Sequence, residues 1–316
     1  MEKDIYFTTY GKKEEKGNHI IKVKIDINSG KIAYLHSIDL DGKANMVIET
    51  DERLITSVKT SDKNLLQFYD KKTLMLVKSF ECEYFYSYGQ IVGNKIILAS
   101  YENGLDSIFD LEQEAIVKNV IHLRNDLPIT GRSHYIHKLS DGRVISVDNA
   151  LQQIYIYKND ELEIEKVVNF ELDPIMNIRL LSFSLDGKYA YLNTEKTGEV
   201  LVLNTYNFEI IDRYVLSTDS SYYSGGNVMS SNGKFICISM RGEDCIYIFN
   251  IKEQGKLEFV CKFKCGKIPR DLKLIHDYLL VSCTEENQIE VYKAKEDLLK
   301  KIPPLEIYRP ITFAMY

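Results

Sequence analysis

The chain of 316 residues has no tryptophan, only six prolines, and no apolar run of membrane-spanning length. The missing tryptophan excludes repeats that use that residue as their marker. With so few prolines and seventeen glycines, no stretch reads as a disordered linker. The six cysteines, Cys82, Cys237, Cys245, Cys261, Cys265 and Cys283, lack compact disulfide spacing and sit largely inside apolar strand patterns. They read as buried free thiols. Cys261 and Cys265 share a strand face, but no histidine or second cysteine pair joins them, so no metal is expected. A basic stripe is also missing. With a net charge of −6, nucleic acid is not an expected partner. The start, Met1 to Thr9, has no apolar signal core. No membrane association is therefore expected, and the cytoplasm is the expected location.

What the chain does contain is one phrase, repeated. A turn carrying Gly or Asp leads into a short apolar strand that ends in a small or polar residue. Copies run Asp51–Ser57, Gly93–Ser100, Asp141–Asp148, Asp186–Asn193, Asn232–Ser239 and His276–Ser282, with an opening copy at Asp4–Thr9. Their central residues recur every 42 to 49 positions, which gives seven units over the chain. A period near 45 with several short strands per unit predicts an all-β, seven-bladed β-propeller of four-stranded antiparallel blades, one domain spanning 1–316. Ten-residue helical patterns between strands are missing, which argues against βαβ units.

Blade strands follow from the pattern. The fourth blade reads Tyr135–Leu139, Arg143–Val147, Gln153–Tyr157 and Leu162–Phe170. The fifth reads Leu180–Ser184, Tyr189–Asn193, Glu199–Leu203 and Glu209–Leu216. The sixth reads Asn227–Ser230, Phe235–Ser239, Cys245–Phe249 and Leu257–Lys264. Ile5–Tyr10, His19–Asp26 and Lys31–Ile38 supply only three strands before Met46–Glu49, the first strand of the next blade. The tail Ile311–Met315 supplies the fourth. A shared blade with the C-terminal strand innermost would close the ring and remove sheet edges.

Antiparallel connectivity places residues just before a first strand and just after a second strand on one face. Before first strands stand Arg132, His134, Arg179 and Arg270. After second strands stand Tyr101, Asp148, Glu195, Arg241 and Thr284. Arginines, a histidine and carboxylates converging on one channel mouth suit a small anion with an acid–base pair beside it. His19, His36, His122 and His276 fall in outer strands or turns and carry no such signal, and His137 reads as a packing or surface residue.

Six phrases in order carry a resemblance. They are Phe7-Thr-Thr-Tyr10; Ala99-Ser-Tyr-Glu-Asn-Gly104; Ser133 to Arg143 running on to Asp148; Arg179 to Tyr191 running on to Glu195; Arg241-Gly followed by Asp244 to Phe249; and Gly266-Lys-Ile-Pro-Arg-Asp-Leu272. Together they resemble the lactonase family of seven-bladed propellers, which includes propeller-type 6-phosphogluconolactonases and carboxy-muconate cyclases. The resemblance places His134, Arg179, Glu195 and Arg241 where that family's site residues lie. The surroundings depart from the pattern. Arg132 stands in place of a histidine, Met240 in place of an asparagine, Leu180 in place of a histidine, and Cys283-Thr284 in place of Asn-Gln.

The resemblance implies hydrolysis of a sugar-acid lactone, 6-phosphoglucono-1,5-lactone first among candidates. The expected partner is thus a small anionic sugar lactone. Glu195 or His134 would take the water proton, with Asp148 orienting His134. Arg179 and Arg241 would hold the oxyanion or a phosphate, and Arg132 and Arg270 would add phosphate contacts. Tyr101 and Thr284 complete the expected substrate-binding set. Arginines supply the electrostatics, so no cofactor is expected. The alternatives are a non-catalytic binding propeller and a cycloisomerase acting on a carboxylated lactone.

Overall fold

The computed structural model describes residues 1–11, 17–171, 175–219, 222–295 and 298–315. Among these, regular structure is β-strand apart from one 3-10 turn at Glu253–Gly255. The strands form seven antiparallel sheets, and six of these sheets have four strands each. The fourth blade is Ser133–Lys138, Val144–Asp148, Gln153–Tyr157 and Ile164–Asn169, and the fifth is Ile178–Phe183, Tyr189–Thr194, Glu199–Asn204 and Ile210–Val215. In these two blades the expected strands are all present, with ends differing by a residue or two.

Two expectations shift. The first strand of the sixth blade begins at Ser224, three residues before the expected Asn227, because Gly225 and Gly226 continue the strand through a bulge. A Cβ on Gly225 would lie 2.5 Å from Ser239 Oγ and 2.6 Å from Pro269 O, so only glycine fits this close approach. In the second blade, Met46–Glu49 is not one strand. Lys43–Ala44 and Ile48–Glu49 pair separately with Arg53–Lys59, while the Thr56 hydroxyl donates to Met46 O at 2.6 Å between them.

The repeated phrase has a local cause at each end. At its start, Gly142, Gly187 and Gly233 adopt φ of 94°, 68° and 68°, which glycine reaches without a Cβ clash. The preceding side chain closes the turn: Asp141, Asp186 and Asn232 accept from the N–H groups of Arg143, Lys188 and Lys234. At its end, the polar residue caps a backbone N–H of the neighbouring first strand. Asn193 Oδ1 accepts from Leu180 N at 3.1 Å, Ser239 Oγ from Gly226 N at 2.7 Å, and Ser282 Oγ from Asp271 N at 2.9 Å. Between turn and cap the second strands are buried on both faces, so their sequences lack alternation; Val144–Asp148 is one example. Outer strands such as Ala115–Ile121 alternate exposed and half-buried residues.

The chain divides into two compact units, Met1–Asp39 with Leu180–Phe313, and Leu40–Arg179 with Ala314–Tyr316. In the first unit the expected shared blade is present: Pro310–Phe313 pairs with Glu2–Thr9, followed by His19–Asp26 and Ile32–Asp39. Phe313 packs edge-on to Phe7 at 5.9 Å, inside a cluster with Ile5, Val23, Tyr278 and Leu280. In the second unit, Met315 donates to Val47 O and accepts from Glu49 N. Separate cores there join Ile48, Phe68 and Leu98, and Ile97, Ile136 and Tyr155.

Candidate active site

In the first unit the structure brings together Glu195 and Arg241. Each follows the end of a second strand, Tyr189–Thr194 and Phe235–Met240 respectively. Both strand ends lean on Ser224. Its hydroxyl donates to Thr194 O at 2.7 Å and accepts from Asn193 Nδ2 at 2.7 Å, while its carbonyl accepts from Arg241 Nε at 3.0 Å. Arg241 Nη2 then donates to Glu195 Oε1 at 2.6 Å. The guanidinium carbon sits 4.5 Å from the centre of the Tyr223 ring. Backbone, carboxylate and ring fix three sides of one cation, an arrangement that lysine cannot reproduce. The carboxylate keeps 18% of its side-chain surface and the guanidinium 10%, so the pair is sheltered yet reachable.

Arg270 is in the same unit. The ladder passes from Pro269↔Cys283 to Asp271↔Ser282, which makes Arg270 the extra residue of a bulge. A bulge re-aims a side chain, and this one sets the guanidinium 5.9 Å from the Tyr10 ring centre. Arg309 approaches the same ring at 6.0 Å. Thr284 departs from expectation. It is buried and its hydroxyl donates to Pro310 O at 2.7 Å, so it ties down the C-terminal strand and does not present a ligand group.

In the second unit, Tyr101 gathers two of the expected residues. Arg132 Nη1 donates to its hydroxyl at 3.3 Å, and the His134 ring meets it edge-on at 5.4 Å. His134 also sits at a bulge, between Ser133↔Asp148 and Tyr135↔Val147, so two-residue alternation is broken between it and Arg132. Arg132 is exposed and His134 half-buried. Arg179 is nearly buried, with 8% exposure, in the first strand of the fifth blade.

Asp148 is corrected outright. It is fully buried, and the imidazole it holds is that of His122, with Nδ1 2.9 Å from Asp148 Oδ2. Its carboxylate also accepts the N–H groups of Arg132, Ala150 and Leu151. His122, which carried no signal in sequence, is 1% exposed and stacks on Tyr155 at 3.9 Å. Its Nε2 faces Asp106 Oδ2 at 3.0 Å. Burial disfavours the charged ring, but Asp106 and Asp148 outweigh it and raise the pKa to about 9. The available signal was Asp106 itself, an acidic residue inside the apolar run Leu105–Phe109.

Among the described residues, Cys265, Cys283 and Glu290 place metal-ligating atoms within 4.8 Å of one another. Glu290 is already engaged by Lys301 Nζ at 2.5 Å, the Tyr292 hydroxyl at 2.5 Å and Gly266 N at 3.0 Å. The carboxylate has no need of an ion to balance it.

The seven antiparallel sheets, with candidate side chains standing after second strands and at first-strand bulges, define a seven-bladed β-propeller. The chain belongs to the lactonase family of seven-bladed β-propellers, whose model, described as "Lactonase, 7-bladed beta-propeller", matches residues 4–301. An uncharacterised Lactococcus lactis protein is 31% identical over 171 residues, half of each chain. An uncharacterised Staphylococcus saprophyticus protein is 27% identical over 313 residues, covering 89% of this chain and 88% of its own. Among solved structures, a putative 6-phosphogluconolactonase from Bacteroides uniformis is 24% identical, with TM-score 0.87 over 99% of this chain and 98% of its own. A periplasmic gluconolactonase of Pseudomonas aeruginosa is 17% identical, with TM-score 0.87 over 99% and 98%. At these identities the solved structures establish the shared fold.

That last structure overturns the expected cytoplasmic location, because a protein of the same fold is described as periplasmic. Among the described residues no helix is long and apolar enough to cross a membrane.

Proposed function

We propose that the protein hydrolyses the lactone of a sugar acid, with 6-phosphoglucono-1,5-lactone the leading candidate. The observation that carries this reading is the Arg241–Glu195 pair, 2.6 Å apart and held by Ser224 and Tyr223. Lactone opening needs three things. A water must lose a proton as its oxygen attacks the carbonyl carbon. Negative charge on the carbonyl oxygen must be held. The ring carbon–oxygen bond must then break, and the alkoxide must receive a proton. In this reading Glu195 takes the water proton and returns it to the leaving alkoxide, while Arg241 holds the oxyanion. His134 and Arg179 are assigned to turnover on the sequence phrases alone, His134 as the alternative base and Arg179 as an anion contact. Arg270, beside the Tyr10 ring in the same unit as the pair, is assigned to an acidic substituent of the substrate, and Arg132 is assigned to one on the sequence phrases alone. Family membership supports the reaction class. The solved relatives described as gluconolactonase and putative 6-phosphogluconolactonase support the substrate class.

The test is a turnover screen over phosphorylated and plain aldonolactones, corrected for spontaneous hydrolysis. Hydrolysis of an aldonolactone well above the spontaneous rate is expected. Binding without turnover would make the protein a binding module. Arg132→Ala then reports on the acidic substituent. KM for the phosphorylated lactone should rise about tenfold while that for the plain lactone stays put. An equal loss for both would remove Arg132 from substrate recognition.

A further inference from the structure

We infer that His122 is a positioning residue that, through Asp106 and Asp148, clamps the segment Arg132–His134 in the pose that presents Arg132 and His134 to a ligand. The inference deepens the proposed function and rests on its reading of those two side chains as ligand-facing.

The argument starts from geometry. Both ring nitrogens of His122 point at carboxylate oxygens, Nδ1 at Asp148 Oδ2 across 2.9 Å and Nε2 at Asp106 Oδ2 across 3.0 Å. A neutral imidazole has one N–H and one lone pair, so one of these contacts would set a lone pair against a carboxylate. Both contacts are satisfied only by imidazolium, and the raised pKa agrees with the geometry. All three side chains are fully buried. A buried cation between two carboxylates is costly to desolvate and is held in place only when its remaining lone pairs and protons are satisfied.

The remaining acceptors of those two carboxylates grip consecutive residues. Asp148 accepts the backbone N–H of Arg132 at 2.9 Å. Asp106 Oδ1 accepts the Ser133 hydroxyl at 2.5 Å, and its Oδ2 accepts the Tyr157 hydroxyl at 2.7 Å. Thus residues 132 and 133 are each tied to one end of the same imidazolium, directly before the bulge that carries His134. The backbone leaves no slack. A Cβ on Gly131 would lie 2.5 Å from Asp148 Oδ2, and a Cβ on Gly104 would lie 2.4 Å from Gly131 backbone, while Gly104 O accepts from His122 N at 2.9 Å. A core needing only stability would be served by apolar residues of equal volume. A charged clamp adds a fixed direction for the two side chains that follow it.

The test uses the full chain. Amide exchange of Arg132 is measured in the wild type, in His122→Gln and in Asp106→Asn, the last serving where His122→Gln does not fold. The Arg132 amide should be strongly protected in the wild type and lose at least tenfold protection in either variant, while amides of the sixth blade keep theirs. Unchanged Arg132 protection would overturn the inference. Turnover supplies the second arm. His122→Gln should raise KM for a phosphorylated lactone about tenfold with little change in kcat, and adding Arg132→Ala should cost no more, because both changes remove the same positioned cation. Additive losses, or a kcat loss with KM unchanged, would overturn it too. If the wild type hydrolyses no lactone, the proposed function fails, and the exchange arm still decides the clamp.

Discussion

Arg241 reaches 46 positions back along the chain to donate to Glu195 Oε1 at 2.6 Å, while its Nε holds Ser224 O. Replacing Glu195 by Gln keeps the shape and removes the base. The expected result is a fall in kcat of about 10² to 10⁴ with KM changed less. Arg241→Lys should lose a comparable factor, since an ammonium cannot serve both Ser224 and Glu195. Full turnover in Glu195→Gln, measured on the best lactone from the screen, would reduce the pair to a structural ion pair.

Two histidines, one buried and one half-buried, set opposite limbs of the stability curve. For His122, the folded value of about 9 lies above the ordinary 6.5. Its contribution is complete below pH 6.5 and is lost as pH rises to about 9, on the order of 3 kcal/mol in all. The groups facing it are Asp106, Asp148, Tyr155 and Tyr157, and burial raises both tyrosines above their ordinary range, away from this window. For His137, burial lowers the value to about 4, so its contribution is present above pH 6.5 and is lost as pH falls towards 4. Urea unfolding from pH 4 to 9.5 should show both declines. A His122→Gln variant that keeps the full alkaline decline would refute the assignment.

The C-terminal strand should matter to the whole of its unit. Phe313 is 3% exposed against Phe7, and Asp271 Oδ2 accepts both its N–H and the Thr312 hydroxyl at 2.8 Å. Phe313→Ala should cost about 3–5 kcal/mol in equilibrium unfolding. Deleting residues 311–316 should cost more, because it also opens a sheet edge. A deletion with unchanged melting would show that the strand is dispensable.

Each cap at the end of a repeat phrase should be worth a measurable amount. Ser239→Ala leaves the buried Gly226 N–H without its 2.7 Å acceptor, and Ser282→Ala does the same for Asp271 N. About 1–3 kcal/mol is expected at each site by chemical denaturation. Values near zero would mean that the bulge relaxes to find another acceptor.

The architecture was legible because it is written locally and repeated. An Asp-Gly turn needs a left-handed glycine, a strand buried on both faces needs an apolar run, and a bulge N–H needs a polar cap. Those demands recur about every 45 residues, so the blade count and the shared first blade follow from the chain alone. The nearness of Arg241 to Glu195 was legible for the same reason, since each follows the end of a second strand.

The partners of buried charges were not legible, because they are fixed by contacts between strands far apart in sequence. Asp148 was matched with His134, fourteen residues away, but a bulge breaks the alternation there, and the ring it holds is His122. Thr284 stood among ligand groups until the C-terminal strand took its hydroxyl. Gly225 and Gly226 lay outside the expected Asn227–Ser230 strand, and only their neighbours show that they extend it where a Cβ has no room. Sequence determined which residues sit at strand ends. Tertiary structure decided which of them stay available, since a buried polar group bonds to whatever the packing brings within 3 Å or so, and that is a property of the assembled chain.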